Sequence, residues 1–155
     1  MNEPIEISRN INLLFPPFRE SILQGIQLAH AEGLMVHVFE AWRSIERQAF
    51  LYTQGRSAPG KIVTNAKPGL SFHSYGLAVD LVFDSKPETP GVQWTWAGNY
   101  KRVAEIMASL GIETLRMEQG HFQMSFGMTI AQIKTYAEAR GLLGLWEYLY
   151  ARAKK

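Results

Sequence analysis

A chain of 155 residues, 46% hydrophobic and 12% aromatic, is long enough to bury a core of its own and too apolar to be disordered or of low complexity. A net charge of +2 is too small to mark a nucleic-acid binder, although it suits anionic surfaces such as wall polymers. With no cysteine in the chain, disulfides, thiolate zinc sites and thiol catalysis are excluded.

The elements follow in order. Residues 1–18 lack a basic start followed by a long apolar run, because Glu6, Arg9, Asn10, Pro16 and Pro17 interrupt them; this is not a secretory signal. No window approaches 18 uncharged apolar residues, so no transmembrane segment is expected. Ile22, Leu23, Ile26 and Ala29 fall at helical spacing over 17–32, with Gly33 as the stop. Residues 34–41 alternate as a strand. Ser44 is the expected N-cap of a second helix reaching about Gly55, with Glu46 in its first turn. Residues 56–76, punctuated by Pro59, Gly60, Pro68, Gly69 and Gly76, read as loop. Residues 77–83 are the clearest strand, and 84–96 a second loop carrying Trp94 and Trp96. A helix is expected over 97–110, short strands over 112–116 and 121–126, and two helices from Met128 broken at Gly141. The expected fold class is α+β: a small antiparallel sheet with flanking helices, in one domain over 1–155 with a helical C-terminal segment at about 128–155 packed on it.

Asp80 stands out. It is one of only two aspartates, it sits in the apolar run 77–83, and an uncompensated carboxylate there is costly to bury. A metal cation would compensate it. His73 precedes it across a loop that Gly76 can turn sharply, and His121 opens another short strand. Two neutral imidazoles and one carboxylate make a three-ligand zinc site with a position left for water. Glu118, three residues before His121, is placed to act as general base on that water and then as acid. Arg43, at a strand-to-helix junction, can hold a substrate carboxylate or a developing oxyanion. Spacing alone gives this set no fixed register. Isolated histidines are usually structural, and surface ion pairs would equally account for Arg43 and Glu118.

The residues Ser71-x-His73-x-x-Gly76-x-Ala78-x-Asp80 match a motif of the zinc peptidases related to D-alanyl-D-alanine carboxypeptidases, a group with lysostaphin-type and hedgehog relatives. Arg43-Ser44, with Gln48 four residues on, resembles a second block of that family. The stretch from Gly55-Arg56 to Gly69 resembles the branch that cleaves L-alanyl-D-glutamate bonds, as in several phage endolysins. Glu118-x-x-His121-Phe122-Gln123 resembles a third block. The resemblance implies a hedgehog/D,D-peptidase-like fold and one catalytic zinc ion on His73, Asp80 and His121. It implies Glu118 as catalytic base, Arg43 as the arginine of the transition state or substrate, and Gln48 and Ser71 in substrate binding. It implies a monomer acting on the peptidoglycan stem peptide, first at the L-alanyl-D-glutamate bond. The alternatives are a D-alanyl-D-alanine carboxypeptidase and a non-catalytic zinc-stabilised wall-binding domain. Such a chain would be made in the cytoplasm without a signal peptide and reach the cell wall or periplasm after release or by non-classical export.

This sequence departs from that branch before the last ligand. The stretch 111–121 is short and lacks tryptophan, the base is Glu rather than Asp, and Gly120 stands where a proline is usual. That stretch walls the cleft in relatives, so the departures bear on substrate preference. His30, near a helix C-terminus, and His37, within a strand, match nothing in the motif. Two readings are open for Trp94 and Trp96: they line the cleft and stack on a peptide or sugar, or they cap the core. The apolar residues of 129–152 either pack a helical hairpin on the core or form an amphipathic segment that contacts a membrane or wall.

Overall fold

The computed structural model describes residues 6–116 and 118–154. Helix α1, Pro16–Ala31, starts on two prolines that suit the first helical turn and buries Phe18, Ile22 and Ala29 along one stripe. Strand β1 is Val36–Glu40, and α2 is Ile45–Thr53, capped by the Ser44 hydroxyl, which accepts from the Arg47 N–H. A 3-10 turn at Phe72–Tyr75 leads into β2, Ala78–Asp84. Then come β3 at Trp94–Thr95, α3 at Tyr100–Ala108, β4 at Glu113–Thr114, β5 at His121–Gln123 and α4 at Ile130–Ala153.

The sheet is antiparallel, in the order β1-β2-β5-β4, with β3 also paired to β2. Strand β2 is its centre. Leu77, Val79, Leu81 and Phe83 face a core shared with Phe18 and Ile22 of α1 and with Val103 and Met107 of α3. Asp80 belongs to the opposite row. A register shift lies between Val38 and Glu40 on β1, so the strand bulges at Phe39 and delivers Glu40 directly opposite Asp80.

Several elements are shorter than the sequence suggests, for identifiable reasons. The helix expected over 97–110 waits for the Asn99 cap, whose side chain accepts from the Arg102 N–H. The strand expected over 121–126 ends at Gln123, because the chain turns through Phe126 and Gly127 at positive φ. Strand β3 lies in the segment read as loop: two residues long, it carries no alternating pattern long enough to register in the sequence. The C-terminal break falls at Gly141, with φ 74° and ψ 171°. Beyond it the chain returns, so that Tyr136 and Tyr148 stack with centroids 4.6 Å apart, a contact no straight helix allows at that spacing. Ile133, Leu145 and Leu149 are fully buried, and the Trp146 indole donates to the Tyr75 carbonyl at 2.9 Å. This hairpin packs on the core beneath the 3-10 turn. No helix among the described residues is long and apolar enough to cross a membrane.

Candidate functional site

The sheet register assembles the site. Asp80 pairs with Glu40 on one side and with His121 on the other, and residues directly opposite on antiparallel strands place their side chains together. His73 arrives from the 3-10 turn, which Ser71 caps by accepting from the His73 N–H. The turn closes at Gly76, with φ 71°, where a Cβ would meet the Trp146 ring at 2.8 Å and backbone of 13–15 at 3.0 Å; only glycine fits there.

His73, Asp80 and His121 each offer a ligand atom, all within 4.8 Å of one another. Asp80 Oδ1 lies 3.1 Å from His73 Nε2 and 3.2 Å from His121 Nδ1. The far nitrogen of each ring is anchored: His73 Nδ1 at 2.8 Å from the Ala41 carbonyl, His121 Nε2 at 2.9 Å from Gln123 Oε1. With those nitrogens donating, the nitrogens that face Asp80 become free to coordinate a divalent cation once they lose their protons. The donor set is two nitrogens and one oxygen with outer partners in place, and it fits zinc.

Electrostatics support the same arrangement. Burial pushes the Asp80 carboxyl up, but the His73 charge and hydrogen bonds from His121 and His73 outweigh it and hold Asp80 well below the usual carboxylate range. Burial pushes His121 down, and its contacts with Asp80 more than reverse this, so the ring favours positive charge at that position. Positive charge is therefore favoured beside the Asp80 carboxylate.

Arg43 lies on the other flank, anchored rather than free. Its Nε and Nη2 donate to Glu40 at 2.9 and 3.1 Å, Nη1 donates to Gln48 Oε1 at 2.9 Å, and Nη2 reaches Asp80 Oδ2 at 3.2 Å. One N–H, on Nη1, remains beyond these four bonds. Arg47 holds the same Glu40 through Nε at 2.6 Å and Nη2 at 3.0 Å. Two carboxylates and two guanidinium groups thus meet in one largely buried cluster. Burial pushes Glu40 up, yet the bonds from Arg47 and Arg43 prevail and its pKa is lowered.

Gln48 is fully buried. Its amide nitrogen donates to the Ala66 carbonyl at 2.6 Å and to Thr64 Oγ1 at 3.3 Å, linking Arg43 to the loop after α2. Glu118 sits at the rim, its side chain 47% exposed, with Oε2 3.9 Å from His121 Nδ1. These groups share a cleft of about 750 Å³ that also takes in Thr64, Ser71, Trp96, Leu115 and Gln119. A smaller hollow of about 630 Å³ lies inside the C-terminal hairpin, lined by Tyr136, Arg140 and Tyr148, away from these groups.

All seven residues singled out in the sequence border or support this one cleft. Two supporting residues were not singled out, and a third, Gln123, was named only within its block and given no role. Glu40 and Arg47 read as a strand end and a helix surface, although a carboxylate closing an apolar strand is as anomalous as Asp80. Gln123 follows His121 by two, which puts both on one strand face.

Comparison with known proteins agrees with this geometry. Residues 14–139 match the family model of VanY, D-alanyl-D-alanine carboxypeptidase. Over 88 residues the chain is 38% identical to the peptidoglycan L-alanyl-D-glutamate endopeptidase CwlK of Bacillus subtilis (strain 168). That match covers 53% of this chain and 53% of CwlK, so about half the length of that relative is spanned. The fold is similar to the L-Ala D-Glu endopeptidase ChiX of Serratia marcescens, with TM-score 0.53, 21% identity, 78% of this chain and 90% of that one. It is similar also to the LdcB LD-carboxypeptidase, with TM-score 0.53, 17% identity, 84% of this chain and 67% of that one.

Proposed function

Because this chain belongs to the VanY family of D-alanyl-D-alanine carboxypeptidases, we propose that it is a zinc-dependent peptidoglycan hydrolase that cuts the stem peptide at the L-alanyl-D-glutamate bond. The observation that carries this reading is the convergence of His73, Asp80 and His121 on one point of an open cleft. The choice of bond is supported by the likeness to CwlK.

In this reading His73 Nε2, an Asp80 oxygen and His121 Nδ1 hold the ion. When bound, zinc would supply Lewis acidity and lower the pKa of water, so that it can give up a proton and attack a carbonyl near neutral pH. Glu118, at the rim and open to solvent, accepts the proton of the attacking water and returns it to the departing amine. Arg43 keeps positive charge beside the site and offers its remaining Nη1 N–H to a substrate oxygen, while Glu40, Arg47 and Gln48 fix its orientation. Ser71 holds the turn that presents His73.

The family description favours a second reading, removal of terminal D-alanine, which needs the same residues. Digestion of purified muropeptides with and without a chelator, read by mass spectrometry, separates the two. The account expects chelator-sensitive products split between L-alanine and D-glutamate. Release of single D-alanine would establish the second reading, and intact muropeptides would leave neither.

A further inference from the structure

The cleft has one wall that the reaction above does not use. Trp96 is 49% exposed, yet it is fixed from two sides. Its ring lies against Gly120, where a Cβ would come within 3.2 Å of it and within 2.6 Å of the Leu81 carbonyl oxygen. Gly120 directly precedes His121, so the indole sits beside the candidate ligands and lines the same cleft. Phe39, thrown outward by the bulge in β1, meets Trp96 edge-on with centroids 5.0 Å apart. Phe39 also backs Trp94 at 6.2 Å, and the Arg9 guanidinium covers both Phe39 and Trp94, at 5.1 and 5.3 Å. An aromatic ridge therefore runs outward from His121, rigid at its base and half-open to solvent at Trp96. Apolar surface kept open beside a reaction site marks a ligand contact.

Substrate chemistry selects the occupant. The first stem residue, L-alanine, is joined by an amide to the lactyl group of the muramoyl sugar. A cut after that alanine leaves the sugar only one residue, about 4 Å of backbone, plus the lactyl group from the reacting carbonyl. A cut between the terminal D-alanines places it three residues further, roughly 10 Å more. The shorter reach of the first geometry suits a ring that touches the residue before His121. We propose that Trp96, backed by Phe39, is the stacking platform for the muramoyl sugar and makes the chain prefer glycan-linked over free stem peptides. This rests on the endopeptidase reading above.

The test compares two substrates, a disaccharide muropeptide and the free stem peptide of the same sequence, in wild type, Trp96→Ala and Trp96→Phe. Wild type is expected to cleave the muropeptide with the higher kcat/KM. Trp96→Ala should shrink that preference roughly tenfold, through KM rather than kcat, and Trp96→Phe should restore most of it. Circular dichroism reports whether each variant is folded. A preference that is absent in wild type, unchanged in a folded Trp96→Ala, or lost as fully in a folded Trp96→Phe as in Trp96→Ala, overturns the platform while the endopeptidase stands. Cleavage of neither substrate by wild type, or release of D-alanine alone, overturns the endopeptidase reading and the platform with it.

Discussion

The two walls of the cleft are built on opposite principles. The wall formed by the end of β1 and by α2 is charged, buried and densely bonded: Glu40 binds two arginines, and Arg43 binds Glu40, Gln48 and Asp80. The second wall, from Trp96 and the described residues before His121, is largely exposed, with Leu115 at 40% and Glu118 at the rim. The first wall fixes geometry, because breaking a pair costs a largely buried charge one of the partners that compensate it. The second meets the substrate and solvent, so exposed side chains such as Glu118 can change at little cost to the fold, Gly120 excepted. Stability and function should therefore separate across the cleft.

The sharpest way to break this contrast is on the exposed wall. Glu118→Gln should lower kcat about 10²- to 10⁴-fold, with zinc content and Tm close to wild type. Kinetics beside calorimetry check it, and a large fall in Tm would erase the distinction between the walls. On the buried wall, Glu40→Gln removes the carboxylate that Arg43 and Arg47 share and should cost about 3–5 kcal/mol. That corresponds to a fall in Tm of roughly 10 °C, read by thermal unfolding. An unchanged Tm would mean the cluster holds nothing together.

The smallest effect sharpens the comparison from outside both walls. Burial, and then the nearby His30, hold His37 below its usual pKa. The unfolded chain then binds more protons than the folded one just below about pH 6.5, so stability falls as pH drops through that range. Denaturant unfolding at pH 7.5 and 5.5 isolates this contribution, because His121, whose pKa is raised, acts in the opposite sense in both wild type and His37→Asn. The stability of His37→Asn at pH 5.5 relative to pH 7.5 should exceed that of wild type.

The parts legible in the sequence were those with a local physical anomaly. A lone aspartate in an apolar strand, a glycine where the chain must turn and a glycine breaking the C-terminal helix all point to their roles without any knowledge of neighbours. The α+β class followed from strand alternation beside helical spacing, and the similar solved structures share that fold. What stayed hidden depended on pairing. The rows Glu40–Asp80 and Asp80–His121 arise from strand register and a bulge, which spacing along the chain does not encode. Arg47 resembled any charged helix residue until its partner appeared across the strand end. Strand β3 exists only because β2 offers it an edge.

The central claim is that His73, Asp80 and His121 hold one zinc ion. Anomalous diffraction at the zinc edge, on crystals grown with zinc, tests it directly. The account predicts a single strong peak bonded to His73 Nε2, an Asp80 carboxylate oxygen and His121 Nδ1. Zinc bound elsewhere, or no peak among these three side chains, would contradict it.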